Sequence, residues 1–237
     1  MSKRLLLLSN SRNYGGAYLA HAEKEIKNFL GSNIKEVLFI PFAAVRFSYN
    51  EYTNIVSSKF TELGYSVRSI HQTNNYTQAI ENAQAIVVGG GNTFQLLKCF
   101  YETNILELVR NRVNNGLPYI GWSAGSNMAC PTIKTTNDMP ITEPPSFNAL
   151  GLIPFQINPH YTEAILANHQ GETRDERLAE FLVLNPSIYV VGLREGSLLQ
   201  LSNNRLELLG EKTLKVLRQG QEIKEYTSKD SIEFLMN

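Results

Sequence analysis

The sequence predicts an α/β protein: a three-layer sandwich in which a mainly parallel sheet is flanked by helices, with a nucleophile elbow at its centre. Three observations carry this. Short continuous apolar runs alternate with longer stretches of helical spacing, the pattern of a sheet covered on both faces. The hexapeptide Ile120-Gly121-Trp122-Ser123-Ala124-Gly125 reads G-x-S-x-G directly after one such run. The chain of 237 residues is long enough for one full domain, 1–237, with a large buried core.

In chain order, residues 5–9 read as a first strand. The preceding Met1-Ser2-Lys3-Arg4 faintly resembles a signal peptide, but four leucines closed by Ser9-Asn10-Ser11-Arg12-Asn13 are too short for its apolar region. Residues 37–41, 66–70, 85–88 and 119–122 are further apolar strands. Between them, 18–30, 52–63 and 93–113 carry helical spacing, and Ser126-Asn127-Met128-Ala129-Cys130 opens a helix after the elbow. The second half supplies a strand at 153–158, a polar helix near 172–183 and a strand at 188–193. Residues 197–202, 205–209 and 213–217 read as a closing antiparallel meander. Ligands are expected at the carboxyl ends of the strands.

Composition excludes several classes. The chain carries 22 basic and 22 acidic residues, so nothing suggests attraction to nucleic acid or to a membrane surface. No window approaches a membrane-spanning length. Cys99 and Cys130 show neither metal nor disulfide spacing. A soluble cytoplasmic protein is expected.

The elbow has a chemical rationale. A side chain at Gly121 or Gly125 would collide with the neighbouring strand or helix, and the strained turn pushes the Ser123 hydroxyl out at the sheet's carboxyl end. The same turn aims the Ala124 N–H at that space, giving half an oxyanion hole. A second glycine-rich turn, Val88-Gly89-Gly90-Gly91-Asn92-Thr93, also follows a strand and precedes a helix. It has neither G-x-G-x-x-G nor G-x-x-x-x-G-K-[ST] spacing, which argues against nucleotide binding. The other reading is that Gly90 or Gly91 supplies the second oxyanion N–H.

A serine needs a base, normally histidine, held in turn by a carboxylate. Of the four histidines, His21 lies in the first helix and His71 ends an early strand, positions that suit surface or internally satisfied groups. His160, in Asn158-Pro159-His160-Tyr161, follows a strand stopped by proline and suits the base; His169, in a polar surface segment, suits it less. For the acid, Asp175 and Asp230 sit in polar surroundings. Asp138, in the loop Thr135-Thr136-Asn137-Asp138-Met139-Pro140, and Glu195, just past a strand, both remain open, with Asp138 slightly favoured.

Taken together, several runs resemble the serine peptidase family of α-aspartyl dipeptidases and cyanophycinase-like enzymes. They are Leu6-Leu7-Leu8-Ser9-Asn10-Ser11, Phe39-Ile40-Pro41-Phe42-Ala43, the glycine turn continued to Leu97, and the elbow. Cys130-Pro131-Thr132-Ile133, Thr135 to Ile141, Gln156-Ile157-Asn158-Pro159-His160 and Gly171-Glu172-Thr173-Arg174 complete the set, so the resemblance spans nearly the whole chain. It implies a fold like that of class I glutamine amidotransferases (flavodoxin-like). It also implies hydrolysis of Asp-Xaa dipeptides without metal or cofactor; the partner expected is the small dipeptide substrate, with monomer and homodimer both left open. Ser123 matches the family's nucleophile and His160 its base, while Asp138 and Glu195 match two acids that have each been considered for the third role. Ser126 stands where alanine is expected in close relatives, with no consequence expected for the chemistry. An aspartyl side chain calls for a cation, and Arg174 is the candidate, ahead of Arg177 and Arg46. The free α-amino group calls for an acceptor, which Asn92 or Glu195 can provide. If Glu195 does so it cannot easily orient His160 as well, which favours Asp138 as the orienter. Two rivals stand beside this reading: a general α/β-hydrolase esterase, and a non-catalytic binding protein on the same fold.

Overall fold

The computed structural model, which describes residues 2–164 and 170–237, begins with β1 (Leu5–Leu8), four leucines buried along their whole length. The chain then forms α1 (Glu23–Leu30), β2 (Glu36–Ile40), α2 (Tyr49–Leu63), β3 (Ser66–Ser69), α3 (Tyr76–Glu81) and β4 (Ile86–Val88). It continues through α4 (Thr93–Glu102), α5 (Leu106–Asn114), β5 (Tyr119–Trp122) and α6 (Ala124–Ala129). The second half adds β6 (Gln156–Tyr161), α7 (Arg174–Leu184), β7 (Val190–Arg194), β8 (Leu198–Ser202), β9 (Arg205–Leu209), β10 (Leu214–Leu217) and β11 (Lys224–Tyr226).

These strands form two sheets. The larger runs β3-β2-β4-β5-β1-β8-β9; its first five strands are parallel, and β8 and β9 are antiparallel additions. Alternation along β1 shows why both faces must be covered. Leu5 and Leu7 join the apolar cluster that contains Leu96, Val109 and Met128 from α4, α5 and α6. Leu6 and Leu8 join the opposite cluster, with Ile26 of α1 and Val56 of α2. The smaller sheet runs β11-β10-β7-β6, and its inward residues Ile157, Val191 and Leu214 enter the first of those clusters. The α/β architecture with helices flanking a mainly parallel sheet is thus present, and β5, which carries the elbow, lies between β4 and β1.

The structure adds α3 and β11, which the sequence reading did not include, and departs from it in four further places. The stretch 93–113 is two helices, because Asn104 turns left-handed (φ 55°) and ends the first. The helix expected at 18–30 starts with a short 3₁₀ turn after Leu19, also left-handed at φ 54°. The strand expected to stop before Pro159 instead runs through it to Tyr161, with a register shift against β7 between Asn158 and Tyr161. As β6 is an edge strand, the missing proline N–H leaves no ladder bond unmade. Finally, β8 and β9 form a hairpin as expected, but β10 pairs with β7 in the other sheet, so the meander is not closed.

Candidate active site

Ser123 sits between β5 and α6 with φ 52° and ψ −111°, a conformation that costs backbone strain and is held by its surroundings. Its N–H donates to the Leu8 carbonyl (3.1 Å), and its own carbonyl accepts from the amides of Ser126 (2.9 Å) and Asn127 (3.0 Å). The flanking glycines are obligatory. A Cβ on Gly121 would lie 2.4 Å from the Gly125 carbonyl oxygen, and one on Gly125 would lie 2.2 Å from that of Val88. Ser126 has a job beneath the turn: its buried hydroxyl lies 2.7 Å from the Leu8 carbonyl and 2.9 Å from that of Gly121, tying β1 to β5.

The Ser123 Oγ lies 3.0 Å from His160 Nε2, and His160 Nδ1 lies 2.6 Å from Glu195 Oε1. A carboxylate only accepts, so Nδ1–H donates to Glu195 and leaves Nε2 free to accept from the serine hydroxyl. His160 reaches this position through the register shift in β6, where it takes a left-handed backbone (φ 52°). Its N–H donates to Ser9 Oγ (2.9 Å), and the same hydroxyl donates to the Leu193 carbonyl (2.8 Å). Ser9, fully buried at the end of β1, therefore joins the larger sheet to both strands that carry His160 and Glu195. Asn10 continues the link, its Oδ1 accepting from Gly196 N–H (2.8 Å) just past Glu195.

Asp138, the favoured partner of His160 on sequence grounds, is placed elsewhere. Its Oδ2 accepts from Thr93 N–H (2.7 Å), Thr93 Oγ1 (2.5 Å) and Thr136 Oγ1 (3.1 Å). That site is the N-terminus of α4, where a negative charge is favoured by the helix dipole and by free N–H groups. Asn92, a candidate for the substrate amine, is likewise engaged: Oδ1 caps α4 through Gln95 N–H (3.1 Å), and Nδ2 donates to the Met139 carbonyl (2.8 Å). Together the two side chains fasten loop 136–139 to the glycine turn. His169 falls outside the described residues.

The glycine turn lies close to the serine. A Cβ on Gly90 would come within 3.1 Å of the Ser123 Cβ, and Gly91 (φ 139°) has room for none, since the Ala43 carbonyl oxygen would be 2.2 Å away. Among the described residues the amides of Gly90, Gly91 and Ala124 donate to no protein group. The Gly90 carbonyl accepts from Tyr52 OH (3.0 Å), and Trp122 Nε1 in turn donates to that phenol oxygen (3.0 Å). Because a trans peptide points its C=O and N–H in opposite directions, Tyr52 also fixes where the Gly91 N–H points. Burial pushes the Tyr52 phenol up to about 12, so it stays a donor.

Ser123 and His160 open into a cleft of about 460 Å³ whose other walls include Arg12, Tyr18, Phe47, Tyr52 and Ile55. Arg174 does not border it. Arg174 is half-buried at the start of α7, where burial lowers its pKa, and its guanidinium donates to Asn137 Oδ1. Asn137 Nδ2 holds the Pro159 carbonyl (2.6 Å), so Arg174 touches the approach to His160 rather than the cleft. Arg177 pairs with Glu172 on the surface. Sequence reasoning missed Arg12 and the aromatic wall. The available signal was position, because Ser9 to Arg12 leave the carboxyl end of β1, the strand next to the elbow.

A serine on a strand-to-helix elbow, backed by a histidine and a carboxylate, is the constellation that hydrolases of unrelated folds use for acyl transfer. Comparison with known proteins narrows the class: the family model described as Peptidase family S51 matches residues 5–209. The chain is 57% identical over 236 residues to Peptidase E of Nostoc sp., covering 100% of this chain and 98% of the relative. It is 46% identical to Peptidase E of Haemophilus influenzae, covering 91% of this chain and 100% of the relative. The chain belongs to this family and is a peptidase. Among solved structures, the fold resembles a peptidase from an acI-B1 Actinobacterium (TM-score 0.74, 18% identity, 98% and 97% of the two chains). It also resembles a putative Peptidase E protein from Listeria monocytogenes (TM-score 0.58, 22% identity, 96% and 99%). Among the described residues no helix is long and apolar enough to cross a membrane.

Proposed function

We propose that this peptidase hydrolyses dipeptides with an N-terminal aspartate through an acyl-enzyme on Ser123, with His160 as base and Glu195 as its orienter. The observation that carries the reading is the unbroken chain from Ser123 Oγ to His160 Nε2 (3.0 Å) and from His160 Nδ1 to Glu195 Oε1 (2.6 Å). Glu195 replaces Asp138 in the role because its carboxylate meets the imidazole, whereas that of Asp138 is used at the start of α4.

His160 Nε2 takes the hydroxyl proton as Oγ bonds to the aspartyl carbonyl carbon, and the carbonyl electrons move to oxygen. The free N–H groups of Ala124 and of Gly90 or Gly91 hold that oxyanion, each donor contributing about 3 kcal/mol of transition-state stabilisation. The imidazolium, steadied by Glu195, then gives its proton to the departing amine. Water attacks the ester by the same route in reverse and frees aspartate. The relatives named Peptidase E support peptide rather than ester substrates. The aspartyl carboxylate calls for a cation, and the resemblance offers Arg174, whose guanidinium is held by Asn137 outside the cleft and reaches the substrate only by leaving that bond.

The test is a panel of Asp-, Glu- and Ala-p-nitroanilides. Release is expected from the Asp compound with little from the other two, and loss of all release in Ser123→Ala. Equal rates on the three overturn the aspartyl specificity, and retained turnover in Ser123→Ala removes the serine from its role. Preferential cleavage of p-nitrophenyl esters with no response to the acyl side chain supports the esterase rival instead.

A further inference from the structure

Arg12 is the only formally charged side chain lining the cleft that holds Ser123 and His160; no carboxylate lines it among the described residues. Its backbone is pinned. Asn10 Nδ2 donates to the Arg12 carbonyl (2.8 Å) and to Asn13 Oδ1 (2.8 Å), while Leu19 N–H closes the loop on the Ser11 carbonyl (2.6 Å). As Asn10 also holds Gly196, the loop bearing Arg12 is fixed relative to Glu195. Arg12 is exposed, and its guanidinium makes no ion pair with a described residue. Its charge reaches the neighbouring cleft wall: burial pushes the Tyr18 phenol well above its ordinary range, and Arg12 acts in the opposite sense. The same cleft has an apolar side, where Phe47 and Ile55 stand 43% and 45% exposed.

An Asp-Xaa dipeptide carries two carboxylates, one on the aspartyl side chain and one ending the residue that departs. The site likewise has two arginines in different places, Arg174 outside the cleft beside Asn137 and Arg12 within it. Resting on the dipeptidase reading above, we propose that Arg12 binds the terminal α-carboxylate of the departing residue while Phe47 and Ile55 receive its side chain. A guanidinium fits a planar carboxylate through two parallel hydrogen bonds, and a peptide continuing beyond Xaa presents a neutral amide instead. Arg12 therefore favours dipeptides over longer chains beginning with aspartate, whereas a p-nitroanilide, whose leaving group is activated, is still cleaved without that contact.

The test compares kcat/KM for Asp-Leu and for its C-terminal amide, Asp-Leu-NH2, in the wild type, Arg12→Gln and Arg12→Lys. The wild type is expected to prefer the free acid by about tenfold or more, Arg12→Gln to lose that preference, and Arg12→Lys to keep part of it. The acid-to-amide ratio is internal to each preparation, so a poorly folded fraction does not alter it. A ratio unchanged in Arg12→Gln overturns the proposal, as does a wild type indifferent to amidation. Should Ala-Leu be cleaved as fast as Asp-Leu, the aspartyl reading fails separately, and the ratio measured on either peptide still decides the role of Arg12.

Discussion

Two carboxylates near the elbow differ in what they hold, and this separates their expected behaviour. Glu195 holds the imidazole and Asp138 holds the first turn of α4. Glu195→Gln keeps the shape but can no longer fix the tautomer, so kcat is expected to fall by up to about 10⁴, with unfolding little changed. Asp138→Asn weakens charge-assisted bonds at a helix start, a loss on the order of 1 kcal/mol in stability with a smaller effect on kcat through the glycine turn. Steady-state kinetics and thermal melts on the two variants check this; a larger kcat loss in Asp138→Asn reverses the assignment. From sequence, both acids lay at strand or loop ends near the right place. What decides between them is the direction of a side chain, which spacing does not encode.

At the scale of elements, the middle of the parallel sheet was legible because β1 and β4 are short runs of uniform apolarity with both faces buried, Leu5–Leu8 and Ile86–Val88. Elements shaped by backbone exceptions were not. The helix break at Asn104 and the shift in β6 rest on left-handed non-glycine residues, which leave no mark in hydrophobic spacing. The passage of β6 through Pro159 depends on its lying at an edge, a fact of topology. The serine and histidine were legible as residue types, but the link among β1, β6 and β7 was not, since Ser9 reads as the end of a strand. That link makes a prediction. Ser9→Ala leaves the His160 N–H and the Leu193 carbonyl without their shared hydroxyl, and stability is expected to drop by about 1–3 kcal/mol. Because the backbone carrying the imidazole also loses its anchor, kcat should fall roughly 10–100-fold with KM nearly unchanged, and Ser9→Thr should recover much of it. A fall in stability with kcat intact would show that Ser9 serves packing alone.

For the whole molecule, acid is the expected weakness, and His21 is one reason. Neither of its ring nitrogens has a hydrogen-bond partner among the described residues, and burial lowers its pKa below 6.5, with Glu25 and Glu195 pulling the other way. The folded state thus prefers the neutral ring. Stability from this residue is intact above about pH 6.5, and it declines as pH falls towards the lower folded value because the unfolded chain binds the proton first. His71 shifts in the same direction for the same cause. His21→Gln should therefore flatten the loss of melting temperature between about pH 7 and pH 5, leaving a residual slope from His71. Identical slopes in wild type and variant would count against it.

The division of Ser123 from His160 and Glu195 between two sheets also bears on how the chain is made. The elbow strand pairs with β1 and β4, all drawn from residues before 123, so the turn bearing Ser123 can form while the chain is still being synthesised. His160 arrives with β6, and Glu195 only past the end of β7, which then docks on Ser9 and Asn10. On the mechanism proposed above, a nascent chain therefore carries a shaped but unarmed serine until its last quarter emerges from the ribosome, and the order of the residues along the sequence acts as a safety catch on a peptidase born among other chains.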